Sequence, residues 1–107
     1  MMAVVVHNKL VRDRIPEIIE ASGKSCEWEV LSQEEYLRYL DEKLWEELRE
    51  YQADKSLEEL ADLLEVLMAV AEARGSFAKV EAIRQAKREE RGAFDKRVFL
   101  KTVGQKD

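Results

Sequence analysis

Residues that end helices or cross-link a chain are scarce in this 107-residue protein, which has one cysteine, one proline and four glycines. A single cysteine, Cys26, cannot form a disulfide within the chain, so a reducing cytoplasm is the expected location. There is also one histidine, and nothing in the spacing of His7 and Cys26 favours a nucleophilic pair. Because glycine and proline supply most turns, their scarcity predicts long helices joined by short connections.

Long apolar runs and an excess of basic residues are missing too. No run approaches the roughly 18 apolar residues of a membrane-spanning helix, and the opening MMAVVVHNK lacks the basic region of a secretory signal. The net charge of −5, with both signs interleaved, argues against binding of polymeric nucleic acid. We therefore expect a soluble cytoplasmic protein with no membrane partner, and the length favours a single domain over residues 1–107.

Charged and apolar residues at helical spacing are abundant, and capping signals divide them into four helices. Ser32 followed by Glu35, and Ser56 followed by Glu59, are capping-box patterns. MAVVVHNKL is expected to be extended, SCEWEVLS to be a connector or a short edge strand, and the tail AFDKRVFLKTVGQKD leaves room for another strand. The first expected helix is IPEIIEAS, with Pro16 in its first turn and Gly23 just past its end. The others run from Ser32 to about Gln52, from Ser56 to near Gly75, and from about Ser76 to Arg91.

These elements predict an all-α fold, an antiparallel bundle of about four main helices with short extended N- and C-terminal segments. The third helix has an apolar face and an apolar flank, so it is expected to be buried on most sides. A bundle of this size has too little mass to cover such a helix, and a homodimer or homotetramer is the expected cover. The face comprises Leu57, Leu60, Leu63, Leu64, Leu67 and Ala71, and the flank comprises Val66, Ala69, Val70 and Ala73.

The acidic residues of the second and third helices separate by helix face. Glu47 and Glu50 lie at the edge of the core stripe of the second helix. On the third helix, Glu59 and Asp62 share the apolar flank, where an unpaired charge would be costly. The core stripe of the second helix is Leu37, Leu40, Leu44, Leu48 and Tyr51. The exposed stripe expected on the third helix is Glu58, Glu65 and Glu72.

Two helices joined by a short turn pack as antiparallel neighbours, so Glu47 and Glu50 can face Glu59 and Asp62. Four converging carboxylates repel one another unless a cation lies between them. Oxygen ligands without Cys or His favour Mg²⁺ or Mn²⁺, and Mg²⁺ commonly binds together with substrate phosphates. Spacing alone also allows a second interpretation. In it Glu59 is only the capping partner of Ser56, and Asp62 pairs with a lysine. Glu47 and Glu50 are then ordinary acids of the helix surface.

The segment KLWEELRE, followed by EELADLLEV, resembles the all-α nucleotide pyrophosphohydrolases of the MazG-like group. Their motif is E-E-x-x-E and then, on the next helix, E-x-x-D. NKLVRDRIPEII near the start and ERGAFDKRVFL near the end resemble the flanks of the phosphoribosyl-ATP-pyrophosphohydrolase-like branch, so the resemblance covers nearly the whole chain. In this sequence the acidic motif falls on Glu46, Glu47, Glu50, Glu59 and Asp62.

The resemblance implies Mg²⁺-dependent hydrolysis of a nucleoside triphosphate between its α and β phosphates, which yields the monophosphate and pyrophosphate. The implied metal ligands are Glu47, Glu50, Glu59 and Asp62. Glu46 is either a catalytic residue that orients the attacking water or an exposed surface residue. Two alternatives are phosphoribosyl-ATP hydrolysis in histidine synthesis, which uses the same four acids, and a non-catalytic helical interaction module.

Phosphate groups also need cations from the protein. The basic end of the fourth helix and the residues after Gly92 are one candidate set for substrate binding, and the alternative is an exposed helix end that complements the helix dipole. A second set precedes the first helix, where surface pairs with Asp13 and Glu17 are the favoured interpretation. The first set is Lys87, Arg91, Lys96 and Arg97, and the second is Lys9, Arg12 and Arg14.

Overall fold

The computed structural model describes residues 3–106, which form four α-helices and contain no strand. The helices are α1 (Ile15–Ala21), α2 (Gln33–Ala53), α3 (Leu57–Arg74) and α4 (Phe77–Arg91). The prediction of an all-α protein with four helices is therefore confirmed. Both segments for which the sequence left a strand open are irregular wherever they are described. Of the predicted segments, Met2 in MAVVVHNKL and Asp107 in the tail lie outside the described residues.

The capping serines fix where α2 and α3 begin. Ser32 Oγ accepts a hydrogen bond from the Glu35 amide at 3.2 Å and donates to Glu35 Oε1 at 3.1 Å. Ser56 Oγ accepts a hydrogen bond from the Glu59 amide at 3.2 Å. The two bonds that the serine hydroxyls accept satisfy backbone amides that have no partner within the helix. Each helix therefore starts one residue after its serine. The second cap places Glu59 in the first turn of α3.

α2 and α3 pack against each other within the described chain. Arg74, the last residue of α3, pairs with Asp41 in the first half of α2 at 2.7 Å. At the other end only three residues, 54–56, connect the helices. The second half of α2 therefore lies beside the first turns of α3.

The contact between these helices contains little fully buried apolar surface. Leu40 is 3% exposed, and the rest of the predicted core stripe of α2 is half-buried. On α3 the half-buried apolar residues are Leu63, Val66, Ala69, Val70, Ala71 and Ala73. The flank that carries Glu59 and Asp62 thus packs towards α2, and the acids on it are half-buried with it.

Most of the apolar face predicted for α3 is exposed in the single chain. We call its exposed part the leucine stripe, and Leu57 and Leu64 within it are 83% and 57% exposed. The stripe consists of Leu57, Leu60, Leu64 and Leu67. Glu58, Glu65 and Glu72 are exposed as predicted. In the single chain α3 is therefore half-buried along the flank that was expected to face α2, whereas the leucine stripe, expected to be covered by a second copy, is exposed.

The described chain divides into two units, one ending at Phe77 and the other beginning at Ala78. The first unit holds α1, α2 and α3, and the second holds nearly all of α4 and the tail. Within the second unit Arg84 forms an ion pair with Glu81, which lowers the pKa of that carboxyl to about 2. No helix in residues 3–106 is both long enough and apolar enough to cross a membrane.

Candidate metal centre

Three carboxylates converge where the second half of α2 meets the first turns of α3. Glu47 and Glu50 are three residues apart on α2 and so lie on one side of it. Glu59 comes from α3, at the position set by the Ser56 cap. Each of the three offers one oxygen atom, and these atoms all lie within 4.8 Å of one another. The structure therefore brings together three of the four predicted ligands.

The centre of this glutamate cluster is buried and incompletely satisfied. Glu47 is 6% exposed, although it is a glutamate. Its Oε1 lies 3.4 Å from Lys43 Nζ, but its Oε2 is buried without a hydrogen-bond partner among the described residues, as is Oε2 of Glu59. A buried carboxylate oxygen without a donor is unfavourable. These two oxygens have the chemistry to accept a cation.

The capping interpretation of Glu59 accounts for only part of this residue. Ser56 accepts its hydrogen bond from the backbone amide of Glu59. The carboxylate of Glu59 is a separate group, and its Oε2 is one of the unpartnered atoms. Capping and metal ligation therefore use different atoms of Glu59 and are compatible.

Glu47 and Glu59 are both harder to ionise than an ordinary glutamate. Burial raises the pKa of the Glu47 carboxyl above 4.5, an effect that Lys43 opposes and Glu50 and Asp62 reinforce. Burial also raises the pKa of Glu59, and the charges of Glu50, Asp62 and Glu47 raise it further. The metal-free site therefore holds like-charge repulsion, which a bound cation relieves.

This repulsion predicts a pH-dependent stability difference between the wild type and Glu59→Gln. Because the folded-state pKa of Glu59 is raised, ionising it costs more in the folded than in the unfolded protein, and stability is lost as pH rises through that pKa. The glutamine variant cannot ionise, so without metal it should melt higher than wild type at about pH 7. The advantage should shrink at about pH 5. Calorimetry in a chelating buffer checks this, and an advantage that grows towards acid would mean that a cation stabilises the Glu59 carboxylate.

Asp62 stands outside the three-glutamate group. Its Oδ1 accepts a hydrogen bond from Arg12 Nη2 at 2.8 Å, so its partner is an arginine of the N-terminal segment and not a lysine. Asp62 is still near enough to raise the pKa of Glu47 and Glu59 by its charge. It is therefore a neighbour of the cluster whose own charge is already balanced.

Glu46 lies at the rim of the site, half-buried and between two lysines. Its Oε1 is 3.6 Å from Lys9 Nζ, and its Oε2 is 3.7 Å from Lys43 Nζ. Sequence reasoning missed Lys43, which pairs with both Glu46 and Glu47. The signal was available, since the lysine precedes these acids by three and four residues on one helix.

The basic residues predicted to bind substrate lie in two different places. Those of the second set belong to the first unit, where Lys9 and Arg12 pair with acids of the site and Arg14 pairs with Glu17 at 3.3 Å. Of these three residues, Arg14 alone forms the predicted surface pair with a neighbouring acid. Those of the first set are exposed residues of the second unit, and their role stays a prediction: Lys87 and Arg91 on α4, and Lys96 and Arg97 after Gly92.

Comparison with known proteins adds little to this geometry. No family model matches the chain, and no solved structure matches it. A protein of Mycolicibacterium smegmatis, described as an uncharacterized protein, is 53% identical to it over 45 residues. The match covers 42% of this chain and 46% of that protein, so the chain spans about half the length of the curated relative it matches.

Proposed function

We propose that this protein is a cytoplasmic, Mg²⁺-dependent pyrophosphohydrolase that converts a nucleoside triphosphate and water to the monophosphate and pyrophosphate. The observation that carries the proposal is the glutamate cluster, in which Glu47, Glu50 and Glu59 converge and two buried oxygens have no partner. The resemblance of the acidic motif to the MazG-like group, and of both flanks to its phosphoribosyl-ATP-pyrophosphohydrolase-like branch, supports pyrophosphohydrolase chemistry on a nucleotide.

The donor set fits a hard divalent metal. All three clustered groups are carboxylates, which suit Mg²⁺, with Mn²⁺ as a substitute. Glu47, Glu50 and Glu59 would hold the ion, and Asp62 is a further carboxylate whose charge acts on Glu47 and Glu59. When bound, Mg²⁺ neutralises phosphate oxygens and lowers the pKa of a coordinated water. The acids of α2 and α3 would fix the position of the ion, and no covalent nucleophile is needed.

Other residues have supporting roles in the proposal. Glu46, held by Lys9 and Lys43 at the rim, orients the attacking water. Basic residues of α4 and of the tail are cations that the sequence predicts to bind substrate phosphate. These cations are Lys87, Arg91, Lys96 and Arg97.

The reaction product provides the direct test. With Mg²⁺, the protein should release pyrophosphate from at least one nucleoside triphosphate, because water attacks the α phosphorus and pyrophosphate leaves. Pyrophosphate and orthophosphate are assayed separately over a nucleotide panel, with a chelator as control. Orthophosphate as the sole product would contradict cleavage between the α and β phosphates.

Two other functions are separated by the same assay. Phosphoribosyl-ATP hydrolysis uses the same acids and is favoured by the resemblance of the flanks, so that compound belongs in the panel. The exposed leucine stripe favours a helical interaction module without catalysis. No turnover of any compound, together with no response to Mg²⁺, would favour the interaction module.

The active form in this proposal is a homodimer or homotetramer. A single chain leaves the leucine stripe exposed, with very few fully buried residues in its described part. Packing the stripe of one copy against another copy buries this apolar surface and completes an antiparallel helical bundle.

A further inference from the structure

Two basic residues of the segment that precedes α1 form ion pairs with the two helices of the candidate metal centre. Lys9 reaches Glu46 on α2, and Arg12 reaches Asp62 on α3 at 2.8 Å. The carbonyl oxygen of Arg12 accepts a hydrogen bond from the Ile15 amide at 3.1 Å, which ties this arginine to the start of α1. Two separate ion pairs therefore hold one short segment beside the glutamate cluster.

These two cations balance acids around the cluster but leave its centre unbalanced. The acids they partner are Glu46 and Asp62, whereas the unpartnered oxygens belong to Glu47 and Glu59. Lys9 also lines a small pocket together with Tyr39, Lys43 and Glu46. A metal at the cluster would therefore have positively charged side chains next to it, which is the environment that a metal-bound polyphosphate needs.

The Arg12–Asp62 pair is exposed enough to exchange partners. The two side chains are 57% and 44% exposed, and solvent-exposed ion pairs contribute little to stability. The guanidinium fork of arginine matches two phosphate oxygens as well as it matches a carboxylate. The positive charge of Arg12 is therefore balanced whether it pairs with Asp62 or with a phosphate.

We propose that Arg12, assisted by Lys9, binds the polyphosphate of the substrate and holds Asp62 only while metal is absent. A divalent cation at the cluster competes with Arg12 for the negative charge of Asp62, and Arg12 is thereby freed to bind a diphosphate or triphosphate group. This inference rests on the proposed function. It takes up the candidate role in phosphate binding that the sequence left open for Lys9 and Arg12, against the favoured interpretation of surface pairs with Asp13 and Glu17.

The test measures binding and not turnover. Isothermal titration with Mg²⁺ alone, and then with inorganic pyrophosphate at saturating Mg²⁺, is done on wild type, Arg12→Ala and the control Arg14→Ala. Arg12→Ala should bind Mg²⁺ as tightly as wild type or tighter, because the competing cation is gone. It should bind pyrophosphate about 10- to 100-fold more weakly, the effect of losing a charge-assisted hydrogen bond. Arg14→Ala, which loses only a pair with Glu17, should match wild type in both titrations.

The outcomes separate this inference from the proposed function. Mg²⁺ binding by wild type with unchanged pyrophosphate affinity in Arg12→Ala would overturn the inference alone. Weaker Mg²⁺ binding in Arg12→Ala would also overturn it, since the pair would then be a structural support of the site. No Mg²⁺ binding by wild type would overturn the proposed function and the inference with it. If Arg12→Ala does not fold, Arg12→Lys decides, because it keeps the charge but loses the fork and should still weaken pyrophosphate binding.

Discussion

Glu59→Gln is expected to slow pyrophosphate release by at least about 100-fold and to remove most of the rise in melting temperature that Mg²⁺ produces in wild type. Glu59 is the only member of the glutamate cluster supplied by α3, so its loss leaves the metal with ligands from α2 alone. A rate loss of this size corresponds to about 3 kcal/mol of transition-state stabilisation, within the several kcal/mol that a catalytic metal supplies. Pyrophosphate release and thermal melting with and without Mg²⁺ measure both effects.

Stability without metal moves in the opposite direction for this variant. Burial and four neighbouring acids all raise the pKa of Glu59, and no cation opposes them. Neutralising Glu59 should therefore leave the metal-free protein as stable as wild type or more stable. Higher metal-free stability together with a lost Mg²⁺ response is the combination expected of a metal ligand, because an ordinary structural acid would lose stability when replaced.

Glu58→Gln is the matched control for this prediction. Glu58 is the neighbouring residue, also lies in the first turn of α3, and is exposed. Its replacement removes the same charge at the same helix end but touches no cluster atom, so melting with Mg²⁺ and activity should stay close to wild type, within about 0.5 kcal/mol in stability. Equal losses of the Mg²⁺ response in both variants would contradict a specific role for Glu59.

Leu64→Lys is expected to convert the assembled protein to a monomer. Leu64 lies within the leucine stripe and is 57% exposed in the single chain, so the proposed contact between copies would bury it. A buried, unpaired ammonium group opposes association, whereas the same group on a free surface is well solvated. Sedimentation velocity at micromolar concentration should show a dimer or tetramer for wild type and a monomer for the variant.

Glu65→Lys is the control for the lysine itself. Glu65 is adjacent on α3 but belongs to the exposed acidic stripe. This variant should sediment like wild type, although its charge changes by more than that of Leu64→Lys. A compact wild-type monomer would contradict the assembly, and dissociation of both variants would mean that charge and not the leucine stripe controls it.

The helices could be predicted from the sequence because their signals are local. Ser32 and Ser56 cap the amides of the following turn, and a cap needs only residues three positions apart. The exposure of Glu58, Glu65 and Glu72 also follows from local periodicity. Convergence of Glu47 and Glu50 with Glu59 needed one further step, which was the short connection between α2 and α3.

Tertiary structure alone decided which partners the acids around the cluster take. Periodicity gives the angle of each side chain around its own helix, but it does not say which cation of another segment lies near it. Arg12 and Asp62 are 50 residues apart, and no rule of spacing links a cation in an irregular segment to a carboxylate on α3. The sequence by itself determined the helices and the acids they carry. Packing determined that Glu47, Glu50 and Glu59 meet while Asp62 is held by Arg12, because only the folded chain sets distances between residues on different elements.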